Sequence, residues 1–325
     1  MATYNTYDAR GIREDLADII VNISPTDTPF ISNIGKTTAS NTYFEWQADS
    51  LAAPNTANAA LEGADAGSDT STPTSRIGNY TQISTKVVQV SGSLESVDKA
   101  GRKSELAYQL AKRGGELKRD LEAILTSNQA ATPGSDSTAR TTAGFESFMV
   151  AANSQRGAGG SASVYSGGIG ANGLPSGFVN TAPVDGTQVP LTEPMLKEML
   201  SQQWTNGGRA DMVMVGATNK QTISGFTGIA TRFRDVEAGQ QAEIIGAADV
   251  YVSDFGTVSI VPNRFMRPQT ALGIDVEYAA VAYLRNFQMN QLAKTGDSEK
   301  RQLVVEYGLK VQNPLAHGII ADLTH

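Results

Sequence analysis

The sequence predicts an α+β fold, and three observations carry that prediction. One long stretch, Ser104 to Gln129, repeats apolar residues at helical spacing, while the other helical patterns are short. Strand-like patterns crowd the C-terminal third and end in Arg301 to Gln312, where Leu303, Val305, Tyr307, Leu309 and Val311 alternate onto one face. Helices and strands do not alternate as βαβ repeats, which removes a doubly wound sheet. Glycine, 32 of 325 residues, with abundant Ala, Ser and Thr, suits sheets, loops and arms better than a helical bundle.

Residues 1–38 read as an arm. Glu14 to Ile23 is briefly amphipathic, with Leu16, Ile19, Ile20 and Ile23 on one face. Pro25 and Pro29 then push the residues before them out of the helical region. An N-terminal helix packed on its own domain is the plainer alternative. Residues 39–91 read as an extended loop bounded by two strands, Thr42 to Ser50 and Ile83 to Val90. The stretch between them has too few apolar residues to form a core. A lone two-stranded hairpin is marginal in water, so it must rest on its own domain or on a neighbouring chain. Tyr43, Phe44 and Trp46 are the expected anchors.

Along the long helix, Leu106, Leu110, Gly114, Leu117, Leu121 and Ile124 form a narrow apolar stripe. The spacing allows the pairs Lys112–Glu116, Glu116–Arg119 and Lys118–Glu122. Such a helix would run to roughly 35–40 Å. Gly114 and Gly115 at its middle each cost about 1 kcal/mol relative to alanine. Two readings answer that cost: a packed neighbour whose backbone approaches closely, or a bend point.

Residues 136–190 read as a Gly/Ser-rich surface insertion, because so long a structureless run is unusual inside a compact domain. Leu191 to Trp204 is a second helix, with Thr192 as N-cap, Pro194 in the first turn and Gly207–Gly208 at the end. Met212 to Val215 is a buried strand, and Ala217 to Ser224 a short helix. Ala248 to Ser253 and Thr257 to Val261 pair around Asp254-Phe255-Gly256, a hairpin signal. Val276 to Leu284 is a strand, and NPLAHGIIADL closes the chain with a turn and a last short strand.

Chemistry-bearing patterns are sparse. A net charge of −7 argues against a dedicated nucleic-acid binder. Without cysteine there is no disulfide and no thiolate site, and only His317 and His325 offer imidazoles. Gly168, Gly170 and Gly173 fit G-x-G-x-x-G, but no helix follows to present its N-terminus to a phosphate. Ser96-Val97-Asp98-Lys99 fits S-x-x-K without its companion motifs. The acidic pairs Asp15/Asp18 and Glu62/Asp65 lie in polar surroundings, with nothing to separate their pKa values. His317 reads as a satisfied structural histidine. The basic tetrad Lys112, Arg113, Lys118 and Arg119 is balanced by Glu105, Glu116, Asp120 and Glu122. No catalytic, cofactor or metal residue is expected. No run approaches the ~20 apolar residues that span a bilayer, and no basic leader precedes an apolar core, so no membrane or secretory role is expected.

The segment from Asn79, NYTQISTKVVQVSGSLESVDKAGRKSELAYQLAKRGGELKRDLEAIL, resembles tailed-bacteriophage major capsid proteins, and more narrowly head proteins of the Hong Kong 97-like fold. The pieces ISPTDTPFISNIG and NTYFEWQADSL, with Glu62–Gly63, are similar too. The likeness is close over residues 1–130 and compatible beyond. It implies an N-terminal arm (1–38), an extended loop (39–91) laid over a neighbouring subunit, and a peripheral domain (92–135 and 300–325) with its spine helix at 104–129. An axial domain (191–299) would meet its copies at the centre of each hexamer or pentamer. The implied function is an icosahedral shell around double-stranded DNA, assembled in the host cytoplasm and carried in the virion. Implied partners are further copies of the chain, a portal and packaged DNA held by non-specific contact, with cement proteins possible. No long scaffolding segment precedes the arm, so a separate scaffolding protein or prior processing is expected. The excursion has no lysine between Lys36 and Lys86, so nothing supports a lysine–asparagine cross-link at its tip. Phe44, Trp46, Leu110, Gly114, Gly115, Leu117 and Leu121 are the expected assembly residues. The alternatives are an encapsulin-type nanocompartment shell and, from another class, a soluble enzyme built on an acidic pair.

Overall fold

The structure, a computed structural model, describes residues 26–63, 65–67, 71–99, 101, 103–226, 250–294 and 296–325. The amphipathic stretch Glu14 to Ile23 and the pair Asp15/Asp18 lie outside them. Helix α1 (Pro29–Asn33) carries its proline in the first turn, where no backbone hydrogen bond is lost, and leads into strand β1 (Gly35–Thr38). Strands β2 (Tyr43–Ala48) and β3 (Ser75–Tyr80) flank the excursion, and β4 (Gln82–Ser91) runs into α2 (Gly92–Ser96). The long helix α3 (Glu105–Leu125) starts at Ser104, whose hydroxyl accepts from the Ala107 amide at 3.2 Å. The short strands β5 (Ser154–Gln155), β6 (Val164–Tyr165) and β7 (Val179–Thr181) follow. Then come α4 (Glu193–Thr205), β8 (Met212–Val215), α5 (Ala217–Ser224), β9 (Val250–Ser253), β10 (Gly256–Pro262) and β11 (Ala271–Ile274). Two long strands, β12 (Ala279–Gln291) and β13 (Ser298–Val311), and the short β14 (Gly318–Ile320) complete the chain.

Two sheets organise these elements. A four-stranded sheet has the order β1-β12-β13-β4, with β1 parallel to β12 and the other pairs antiparallel. The alternation in β13 works as the sequence predicts: Val305, Tyr307, Leu309 and Val311 are fully buried, and Leu303 packs at the core's margin. Leu117, Leu121 and Leu125 of α3 join the same core, and Lys86 on β4 pairs with Asp120 on α3 at 2.7 Å. A six-stranded sheet has the order β5-β14-β11-β8-β10-β9. Its strand β8 is buried on both faces: Met212 and Met214 enter the main core, while Val213 and Val215 enter a second core with Leu196, Met199 and Leu200 of α4. Gly207, at φ 86°, ends α4 in the left-handed conformation that glycine adopts without strain.

Four expectations need correction. Residues 136–190 are no surface insertion: Phe145, Phe148, Met149, Leu174 and Val179 are fully buried in the main core. The segment has few apolar residues, but its large ones point inward, and the glycine-rich remainder turns tightly against β3 through Gly78 N–H to Gly177 O and Gly177 N–H to Arg76 O. Second, the partner of β2 is β3, in a stretch read as polar filler, while β4 pairs with β13. Of Ser75, Ile77 and Asn79, all buried, two are polar, so an apolar pattern could not reveal the strand. Third, the sheets ignore a boundary at residue 300: β12 belongs with β13, and β14 lies in the six-stranded sheet beside β11. Fourth, residues Val276–Tyr278 form a short 3₁₀ turn before β12 begins.

Candidate assembly surface

The root of the excursion is fastened by aromatic side chains. In the β2–β3 register Tyr43 faces Tyr80 and Trp46 faces Ile77. Trp46 is 8% exposed, with its ring 5.8 Å from Phe44 and 6.2 Å from Phe148. Its Nε1–H donates to the Gln312 carbonyl at 3.1 Å, just past β13. The half-buried Phe44 lies on Gly308 of β13, where an added Cβ would stand 2.6 Å from the ring's Cε1. Gly308 is therefore a close-approach glycine in mid-strand. The Tyr43 ring covers Gly78 in the same way, and burial together with its bond to Glu45 pushes the phenol up to about 12. The three predicted anchors thus rest on the subunit itself.

Beyond that root the described residues give the excursion little cover. Ser50 Oγ donates to the Asn172 carbonyl at 2.7 Å, and Ser75 Oγ to Asn172 Oδ1 at 3.0 Å, which ties down the base of the excursion. Further out, Leu51 is 98% and Leu61 84% exposed. Glu62 and Asp65, the second acidic pair, are exposed on this loop. A second exposed feature is an aromatic pair: Trp204 at the end of α4 (60% exposed) stacks at 5.4 Å on Phe255 (37%) in the β9–β10 turn. Beside it, the edge strand β9 presents Val250 and Val252.

Helix α3 contributes a third surface. Leu117 and Leu121 are buried, whereas Leu106 and Leu110 are only half-buried. The helix runs unbroken through Gly114 and Gly115, and among the described residues nothing lies within 4 Å of the Cβ that either would carry. No described part of the subunit therefore makes the close approach expected at the pair. The charges also pair differently. Glu116 takes Arg113 at 2.5 Å, which holds its carboxyl below the usual range. Glu122 is not paired with Lys118 but fully buried.

Sequence reasoning missed the buried charges. Glu146, fully buried between Phe145 and Phe148, takes both oxygens to Arg267 Nη1 at 2.8 and 2.9 Å, with Arg156 at 3.8 Å; Arg267 also pairs with Asp185. Burial pushes the Glu146 carboxyl up, against the pull of the two arginines. On β13, Glu306 accepts from Arg140 at 2.5 Å, Arg285 at 2.8 Å and Thr81 at 3.0 Å. The available signal was a carboxylate wedged between aromatics, FESF, in a charge-poor stretch, since such a group is buried only with partners. His317 is fully buried, but it is only half satisfied: its Nε2 has no hydrogen-bond partner among the described residues. Burial pushes its imidazole down to about 3, so it is neutral, and its Nδ1 accepts from the Asp275 amide at 3.2 Å. Among the described residues no cluster of His, Cys, Asp and Glu could hold a metal ion, and no helix is long and apolar enough to cross a membrane.

The chain matches the family model described as SU10 major capsid protein over residues 2–324. It is 29% identical to the major capsid protein of Escherichia phage Phieco32, over 97% of this chain and 95% of that one. Among solved structures it resembles the capsid asymmetric unit of cyanophage A-1(L), with TM-score 0.69, 14% identity and 99% of both chains covered. It also resembles the capsid of an empty GTA particle (TM-score 0.60, 13% identity, 98% of both chains). The holo-SrpI encapsulin complex from Synechococcus elongatus matches at TM-score 0.56 and 10% identity, over 99% of this chain and 96% of that one. These likenesses place the fold in the Hong Kong 97-like class, which phage heads and encapsulins share.

Proposed function

The chain belongs to the SU10 major capsid protein family, and on that premise we propose that its copies assemble as hexamers and pentamers into an icosahedral head enclosing double-stranded DNA. It is a phage major capsid protein, a structural component of the virion and not an enzyme. The observation that carries the finer reading is the excursion: a rigid aromatic root within the subunit, and beyond it Leu51 and Leu61 almost fully exposed. That geometry suits a loop whose outer part is buried by a neighbouring copy. Residues 1–38 would be the arm, α3 the peripheral spine, and the six-stranded sheet with its Trp204–Phe255 pair the part nearest the capsomer centre. A portal and a separate scaffolding protein complete the assembly, with a cement protein as a further partner. The net charge of −7 suits a container that touches DNA non-specifically, because each neutralised phosphate would add salt-dependent affinity and hinder release.

The likeness to an encapsulin supports a second reading, a nanocompartment shell around protein cargo. Electron microscopy of particles from an expressing cell separates the two. DNA-filled shells with one portal vertex are expected; closed shells with protein cargo and no portal would favour the nanocompartment. A monodisperse monomer under all conditions would sink both.

A further inference from the structure

The end of the arm is held by a carboxylate that reads in the sequence as one more solvated charge. Glu122 Oε1 accepts from the Phe30 amide at 2.6 Å and from Asn263 Nδ2 at 2.7 Å, and Oε2 accepts from the Ile31 amide at 3.0 Å. Glu122 is fully buried, and no charged side chain of the described residues figures among its partners. Phe30 is itself fully buried, edge-on to Phe145 at 5.4 Å. Asn263, just beyond β10, is fixed in turn: its amide donates to the Val215 carbonyl at 2.9 Å, and its Oδ1 accepts from the Phe265 amide at 2.8 Å. One turn back on α3, Arg119 lies 5.1 Å from the centre of the Phe265 ring. The spine thus grips the arm through two amides and the loop after β10 through Asn263 and Phe265.

We propose that Glu122 is a positioning residue that sets the direction in which the arm leaves the subunit and couples it to the spine and to the loop after β10. A buried carboxylate with no cation beside it depends on the donors aimed at it, and losing them leaves a group that is costly to keep charged. Displacing the arm turn from this seat therefore breaks two bonds at once, because the Phe30 and Ile31 amides share the one carboxylate. The seat stands whether or not the arm serves shell assembly as suggested above.

Residue-resolved hydrogen exchange on the full-length subunit, before assembly, tests this. Glu122→Leu keeps the volume and removes all three acceptor contacts, so the Phe30 and Ile31 amides should exchange at least tenfold faster. Glu122→Gln keeps the oxygen that serves Phe30 and Asn263 but sets an amide nitrogen against the Ile31 N–H. In that variant Ile31 should exchange faster while Phe30 stays near wild type. A purely volumetric role would not produce this bond-by-bond pattern. Unchanged exchange in Glu122→Leu, or equal loosening of both amides in Glu122→Gln, would overturn the assignment. Should Glu122→Leu fail to fold, the Glu122→Gln pattern decides alone. Closed shells in normal yield from a loosened Glu122→Leu subunit would overturn the positioning role, while microscopy of wild-type particles tests the shell reading separately.

Discussion

Truncating Trp46 to alanine should release the root of the excursion from the subunit. The ring is almost fully buried between Phe44 and Phe148, and its N–H satisfies the Gln312 carbonyl. Removing a buried aromatic costs about 3–5 kcal/mol. Trp46→Phe keeps most of the packing and loses the N–H, which should cost about 1–2 kcal/mol. The remaining difference, about 2 kcal/mol, measures ring packing. Because β2 and β3 form a separate two-stranded sheet, the loss should appear as local opening before global unfolding. About 3 kcal/mol corresponds to a roughly hundredfold rise in the open population. Hydrogen exchange across Tyr43–Ala48 and Ser75–Tyr80 should accelerate by that factor in Trp46→Ala and about tenfold in Trp46→Phe, with Val305–Val311 protected in both. Equal effects of the two substitutions, or an equal loss in β13, would refute the reasoning.

Other perturbations follow from the same geometry. His317 has its pKa lowered from 6.5 to about 3 by burial. Its contribution to stability is therefore complete above pH 6.5 and is lost as pH falls towards 3. Between pH 7 and pH 5 wild type should lose about 2 kcal/mol more than His317→Gln, read from urea midpoints at each pH, and parallel profiles would contradict this. Gly308→Ala should force Phe44 off β13 and cost about 1–3 kcal/mol in thermal or chemical denaturation; a neutral result would show that the ring can shift freely. Gly114→Ala with Gly115→Ala meets no clash among the described residues and should stabilise α3 by up to about 2 kcal/mol. The same double variant should disturb shell formation or particle size, and normal particles of normal size would refute both the close-approach and the bend readings of the pair.

Elements with a single strong period were legible. The long helix, the alternating β13, the doubly buried MVMV strand and the hairpin at Asp254-Phe255-Gly256 each lie where spacing puts them. Trp46 was legible as an anchor because it lies in a short aromatic strand, Tyr43, Phe44 and Trp46, beside a long polar excursion that must rest on something. What escaped depends on partners distant in sequence. Glu122 is solvated or buried according to whether Phe30 and Asn263, 92 and 141 residues away, reach it. Glu146 depends on Arg267 in the same way. The 136–190 stretch was misread because composition averages over its length, whereas burial is decided by a few large side chains. The glycine pair stays half-legible: its cost is local, and nothing among the described residues answers it.

Single-particle cryo-electron microscopy of the purified particles tests the shell assignment most directly. The expected map contains closed icosahedral shells of hexamers and pentamers around DNA, with Leu51 and Leu61 of each subunit buried against a neighbouring copy. Particles in which the excursion stays uncovered, or a protein that forms no shell with its partners present, would contradict it.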